Sequence, residues 1–343
     1  MGKDASLLRP TMPSRLSSVT ARRSTVEYSA EAAAESAAAD AMVNKSGKLF
    51  LRGCVTNGIG LLILTGITYI QEGFAAYVGV ALGLQYAVFV LHALPNGSEK
   101  YYDLSGSFTH LALVAASVLE TRLRSPRQML LTLASVVWMV RLGTFLYIRI
   151  LRDGRDPRFD ALKTVWLAFC GAWTLQACWV TLVQLPLLLI NSRDDTVPLG
   201  PVDLLALLMW GCGFVVECVA DVQKFEFRQD AANKERFITS GLWAYSRHPN
   251  YFGEILMWVA TALAVSVAGL RAAEPSYGSL YAWLSPAFTA LLLLKVSGVP
   301  MVEAAGTKKW GHDESYLHYV EHTSSVVPWF PAPVREGKTP PLL

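Results

Sequence analysis

Ser246-Arg-His-Pro-Asn250-Tyr-Phe-Gly-Glu254 runs directly into Ile255-Leu-Met-Trp-Val-Ala-Thr-Ala-Leu-Ala-Val-Ser-Val-Ala-Gly-Leu270. From Tyr251 to Leu270 the only charged residue is Glu254. A hydrocarbon core ~30 Å deep takes about 20 apolar residues in a helix, so this run reads as a membrane span. Pro249 at its start fixes a helical φ where the missing N–H costs nothing. The unpaired N–H groups of that helix end lie beside Arg247 and His248, which makes a ready site for an anion. Glu254 falls about one turn into the membrane, where a carboxylate is costly unless it is paired or faces a polar cavity.

Working outward, seven further apolar runs have comparable length. They are 53–70, 74–94, 105–120, 129–148, 164–190, 200–222 and 280–299; the third is short and the fifth carries a break at Pro186. The expected fold is an all-α polytopic membrane protein with about eight spans, in the range 7–9. Composition agrees, with 52% hydrophobic and only 17% charged residues. A net charge of +3 gives no case for nucleic acid. The five cysteines lie in apolar runs without CxxC spacing, as small packing residues do.

If the runs cross alternately, 23 of the 30 Lys and Arg fall on one side and 5 on the other. Cytoplasmic loops carry such an excess, which puts both termini in the cytosol, in an endoplasmic-reticulum type of membrane. Residues 1–47, rich in Ser, Ala and Arg, read as a disordered tail, 48–331 as the membrane domain and 332–343 as a C-terminal tail. The start Met1-Gly2-Lys3-Asp4-Ala5-Ser6 fits a myristoylation pattern, and the arginines among serines fit a transit peptide. A plain cytosolic tail is the simpler alternative.

Other polar residues sit where an apolar run does not need them. Arg141 lies in the middle of the fourth run and requires a partner. Glu217, Asp221, Lys224 and Arg228 recur every three or four residues, so one helix face carries two acids and then two bases. That face is either an ion-pair ladder or a cofactor wall, whose acids accept from hydroxyls and whose arginine forks a phosphate. Glu314, His318 and His322 share a helical spacing, but no HExxH occurs and no metal site is assigned. His92 and His110 read as packing histidines.

SRHPNYFGE, with YYDLSGS at 101–107, WMVRLGTFLYIRILRDGRDPRFD at 138–160, ECVADVQKFEFR at 217–228 and SGVPMVEAAGTKKWGHDESYLHYVEHTSSVVPWFP at 297–331, resembles the steroid 5α-reductase superfamily, in its DUF1295 branch. The resemblance implies a lipid-modifying membrane enzyme using NADPH. Asp221, Arg228 and Asn250 match positions that contact NADPH in that family, and Arg155 matches a loop that grips its phosphates. Lys224, Arg247, His248, Tyr251 and Glu254 complete the implied cofactor set. Asp103, flanked by Tyr102, falls where the steroid enzymes place a carbonyl-binding glutamate, so these two are the implied catalytic residues. The chain departs from the steroid enzymes in carrying Glu303 where they have histidines.

The implied reaction reduces a C=C bond conjugated to a carbonyl in a sterol, polyprenal or enoyl lipid drawn from the bilayer. Because RHPxYxGE is shared with a methyltransferase branch, S-adenosylmethionine-dependent methylation of a lipid or isoprenylcysteine stays open. So does a non-catalytic lipid-binding protein. The arginine count leans toward the cofactor with three phosphates.

Overall fold

Three of the long helices open on proline, at Pro126, Pro201 and Pro249, where the first-turn N–H has no helical partner to lose. Ser125 adds a full cap at Pro126, accepting from the Gln128 N–H while the Gln128 side chain takes the Ser125 N–H. The computed structural model describes residues 15–121 and 125–330, and its regular elements are all helical. They are α1 (Arg15–Thr68), α2 (Phe74–Val88), the π turn Phe89–Ala93 with α3 (Leu94–Asn96), α4 (Tyr102–Thr121), α5 (Pro126–Asp153), α6 (Trp166–Asn191), α7 (Pro201–Gln229), α8 (Pro249–Leu270), α9 (Leu284–Leu291), α10 (Val299–Trp310) and α11 (Glu314–His322).

Among the described residues, seven helical stretches are long and apolar enough to cross a membrane. They lie in α1, α2 to α3, α5, α6, α7, α8 and the stretch Tyr277–Trp310 that contains α9 and α10. The run at 105–120 forms the 20-residue α4, which falls short of that apolarity because Ser105, Ser107, Thr109, His110 and Ser117 are buried inside the bundle. Two expectations are corrected. Helix α6 continues through Pro186 to Asn191, since a helix enclosed by neighbours keeps its course after losing one N–H. Helix α1 begins at Arg15, so 15–47 is helical rather than disordered; its Ala- and Glu-rich stretch has high intrinsic helix propensity. The myristoylation pattern at residues 1–6 and the tail at 332–343 lie outside the described residues.

Helix α6 is the hub and is buried on nearly all sides, while its neighbours bury one stripe and turn leucines such as Leu62, Leu91 and Leu208 outward. The inside is more polar than the outside. Gln176 of α6 donates to the Tyr102 carbonyl at 2.6 Å, and Gln85 of α2 donates to Thr109 at 2.8 Å. Deeper, Gln184 holds Ser135 at 2.7 Å, and Asn191 holds Ser117 at 3.1 Å. Hydrogen bonds of this kind join helices where burial of apolar surface gives no net drive.

Helices α7 and α8 approach more closely than side chains allow. A Cβ placed on Gly253 would stand 2.5 Å from the Gly213 carbonyl oxygen and 2.8 Å from the Glu217 nitrogen. This contact sets the height of the two helices against each other. The start of α8, the ends of α5 and α7, and the hairpin of α10 and α11 then meet on one face of the bundle. Trp310 reaches the Glu235 carbonyl at 2.8 Å, and the Arg247 N–H bonds the Ser324 carbonyl at 2.8 Å.

Gly253→Ala forces backbone apart rather than a flexible side chain, an overpacking cost of about 1–3 kcal/mol. Thermal unfolding in detergent or nanodiscs should show a lower midpoint for Gly253→Ala and little change for Gly79→Ala, whose Cβ meets open space.

Candidate functional site

The glycine contact between α7 and α8 sets Glu217 and Asp221 beside Asn250 and Glu254. Arg141 of α5 completes the group, with Nη1 2.5 Å from Glu217 Oε1 and Nη2 2.6 Å from Asp221 Oδ2. Asn250 Nδ2 donates to the other Asp221 oxygen at 3.1 Å. Glu254, one turn beyond Asn250, lies within electrostatic reach of Glu217, Asp221 and Arg141. Two carboxyl groups thus share one guanidinium, with a third close by. Glu217 Oε2 and Asn250 Oδ1 are buried and have no hydrogen-bond partner.

The face read as two acids followed by two bases divides in the structure. Its acids turn to Arg141, whereas Lys224 lies 4.4 Å over the ring of Trp243 and Arg228 is exposed near the end of α7. At the start of α8, His248 stacks on Tyr251 with centroids 5.1 Å apart and rings nearly parallel. His248 Nε2 and Arg247 Nη1 lie 3.2 and 3.0 Å from Glu303 Oε1. A carboxylate of this chain therefore stands at the anion position beside Arg247 and His248. Burial pushes the His248 imidazole down to about 4, outweighing the Glu303 contact that would raise it.

A second group gathers at the start of α4. Asp103 pairs with Arg149 at 3.0 Å, Asp156 binds Arg158 at 2.5 Å, and Glu99 accepts the Asp156 N–H at 2.7 Å and pairs with Lys163. Burial alone would raise the Asp156 carboxyl, but hydrogen bonds and charge from Arg158, with Arg149, hold it below the usual range. The Tyr102 hydroxyl donates to the Ala172 carbonyl at 3.0 Å, and its ring is wedged between Phe159 and Trp173. Gly154, at φ 75°, turns the chain so that Arg155 points outward, 72% exposed and 3.8 Å from Asp160. Arg149, on the last turns of α5, and Arg158, in the following loop, are the cations beside Asp103.

Tyr251 joins the two groups. It lies within electrostatic reach of Asp221 and Glu254 on one side and of Arg149 and Arg158 on the other. Asp103, Asp221, Asn250, Tyr251 and Glu254 therefore belong to one region, with His248 at its edge; Arg155 and Arg228 are peripheral and the Tyr102 hydroxyl is already engaged. The sequence reading of the loop passed over Arg149 and Arg158 as individuals, although helical spacing from Arg141 puts Arg149 near the same face of α5. Among the described residues no three His, Cys, Asp or Glu side chains are grouped to hold a metal. The tail histidines His318 and His322 contact each other, with centroids 4.1 Å apart.

Arg141→Leu leaves Glu217 and Asp221 without their buried countercharge, at a cost of about 3–5 kcal/mol. Adding Glu217→Gln to that variant should restore part of the lost thermal stability. His248 supplies a pH test. Its folded value of about 4 lies below its ordinary 6.5, so the unfolded chain binds more protons between these values. Its contribution is full above about pH 6.5 and is lost as pH falls toward 4. Acidification through that window should lower the unfolding midpoint less in His248→Gln than in the parent chain.

The family described as "Protein of unknown function (DUF1295)" matches residues 88–323, more than half of the chain. Delta(14)-sterol reductase of Methylotuvimicrobium alcaliphilum is 26% identical over 191 residues, covering 50% of this chain and 40% of that protein. The chain thus spans less than half the length of that relative. No solved structure matches it. The family match covers both polar groups and every helix that supplies them, and the protein belongs to the steroid 5α-reductase-like DUF1295 family.

Proposed function

We propose that the protein is an NADPH-dependent reductase of a C=C bond conjugated to a carbonyl in a bilayer lipid. The observation that carries this reading is the pair of buried acceptors without a partner, Glu217 Oε2 and Asn250 Oδ1, on the same face of the bundle as the arginines of the α5 end and the α8 start. NADPH supplies a hydride when bound and brings three phosphates suited to those arginines, whereas S-adenosylmethionine has none.

The unpartnered Glu217 Oε2 and Asn250 Oδ1 fit a ligand that brings N–H or O–H donors, as a carboxamide and ribose hydroxyls do. Arg149, Arg158 and Arg247, with Arg155, Lys224 and Arg228 farther out, are the cations suited to its phosphates. Asp103 is the acid in this reading, held by Arg149 beside the same region. Similarity to a sterol reductase supports a sterol or another long apolar substrate, entering from the membrane. The excess of basic residues on the face that carries the site supports a cytosolic orientation of both termini, in the endoplasmic reticulum.

Purified protein in nanodiscs should bind NADPH with S-adenosylmethionine failing to compete. Glu254→Gln should slow single-turnover hydride transfer at least about tenfold while changing NADPH affinity much less. S-adenosylmethionine binding that NADPH does not displace would sink the reductase reading in favour of methyl transfer.

A further inference from the structure

His110, Trp138 and Trp258 are 0%, 0% and 2% exposed, and their ring nitrogens His110 Nε2, Trp138 Nε1 and Trp258 Nε1 have no hydrogen-bond partner. The rings touch in series: His110 and Trp138 have centroids 5.5 Å apart, and Trp138 and Trp258 are 4.8 Å apart. His110 is held in one form. The Gln184 amide donates to its Nδ1 at 3.1 Å and is itself fixed by Ser135 at 2.7 Å, so the proton of the neutral ring sits on Nε2. Three N–H donors are thus buried together without an oxygen acceptor. Edge-to-face packing offers an indole N–H at most a ring face, a weaker partner than oxygen.

Their position relates them to the charged group. Trp138 lies one turn before Arg141 on α5, and Trp258 lies one turn after Glu254 on α8, so both stand a turn, about 5.4 Å, deeper in the bundle. A crevice of about 40 Å³ between α5, α7 and α8 is lined by Ala134, Trp210, Ala260 and Thr261, among others. Ala134 and Thr261 are one turn from Trp138 and Trp258, and Leu207, on the same crevice, is exposed on the outer surface. The crevice stops about one turn short of the two indoles, so a ligand that reaches them has to part α5 and α8 there.

We infer that His110, Trp138 and Trp258 bind the carbonyl oxygen of a lipid ligand. The inference rests on the reductase reading only for the choice of a carbonyl compound, and it moves the oxygen contact from Asp103 to the floor beneath the carboxyl cluster. An enone seated there presents its conjugated carbons upward, toward Glu254 and Asp221. His110 then orients the ligand rather than simply filling space between helices.

The test uses the full chain in nanodiscs with two probes, cholest-4-en-3-one and the hydrocarbon cholest-4-ene, in the absence of cofactor. A site built to donate to oxygen should bind the enone at least about tenfold more tightly than the hydrocarbon. The double variant Trp138→Phe/Trp258→Phe and, separately, His110→Phe should abolish that preference, while the control Gly79→Ala, whose Cβ meets open space, should keep it. In the unmutated protein, the enone labelled with ¹³C at its carbonyl should show a C=O stretch shifted to lower frequency than in protein-free nanodiscs, a readout that does not depend on variants folding. Equal affinity for the two probes, including binding of neither, or an unshifted carbonyl overturns the inference. Loss of the preference in Asp103→Asn with its retention in the floor variants also overturns it and leaves the reductase reading standing, as does NADPH binding measured separately.

Discussion

Arg141 between Glu217 and Asp221 is the contact on which the arrangement of the last helices depends. A guanidinium inside a bilayer has no water to turn to, so α5 is held in rotation and depth by two carboxylates of α7. Those carboxylates are in turn fixed against α8 because Gly213 and Gly253 let the backbones meet. Neither element suffices alone. Without the glycines the acids would stand away from Asn250 and Glu254, and without Arg141 they would be buried charges with no partner.

The same constraint explains why the molecule is inverted relative to a water-soluble bundle. Leucines and valines cover the outside, where lipid replaces water, and Gln85, Gln176, Gln184 and Asn191 bridge helices inside. Around α6 these amides bridge to neighbouring helices, which makes them structural joints. Unpartnered buried atoms occur in several places, Trp173 Nε1 and Asn191 Oδ1 on α6 among them; those on α5, α7 and α8 include Glu217 Oε2, Asn250 Oδ1 and the indole nitrogens of Trp138 and Trp258.

The two ends of the site differ in character. At its surface end, Glu303 pairs with Arg247 and hydrogen-bonds His248, and Asp156 occupies Arg158. A ligand's phosphates would have to exchange with these carboxylates rather than meet bare cations, so affinity there depends on competition inside the protein. At its deep end Glu217 and Asp221 share Arg141, with Glu254 close by.

The sequence by itself determined the class of structure, since runs of about 20 apolar residues bounded by proline and charge leave only a bundle of spanning helices. It also singled out Arg141, Asp221, Asn250 and Glu254, because a polar group inside such a run is conspicuous against its neighbours. Pairing was decided by tertiary structure. Glu217 and Asp221 are spaced from Lys224 and Arg228 as an ion-pair ladder would be, yet their partner is on another helix, and only the approach at Gly253 settles that choice. The arginines around Gly154 illustrate the same limit: Arg149 on α5 pairs with Asp103 of α4 and Arg158 with Asp156, while Arg155, just past the turn at Gly154, is 72% exposed, and composition does not encode which pairs form. His110 was hidden for a different reason. A histidine in an apolar helix reads as packing until its Nδ1 is seen to be occupied by Gln184 and its Nε2 left with the proton beside two unpaired indoles, a relation among four helices that no single stretch of sequence contains.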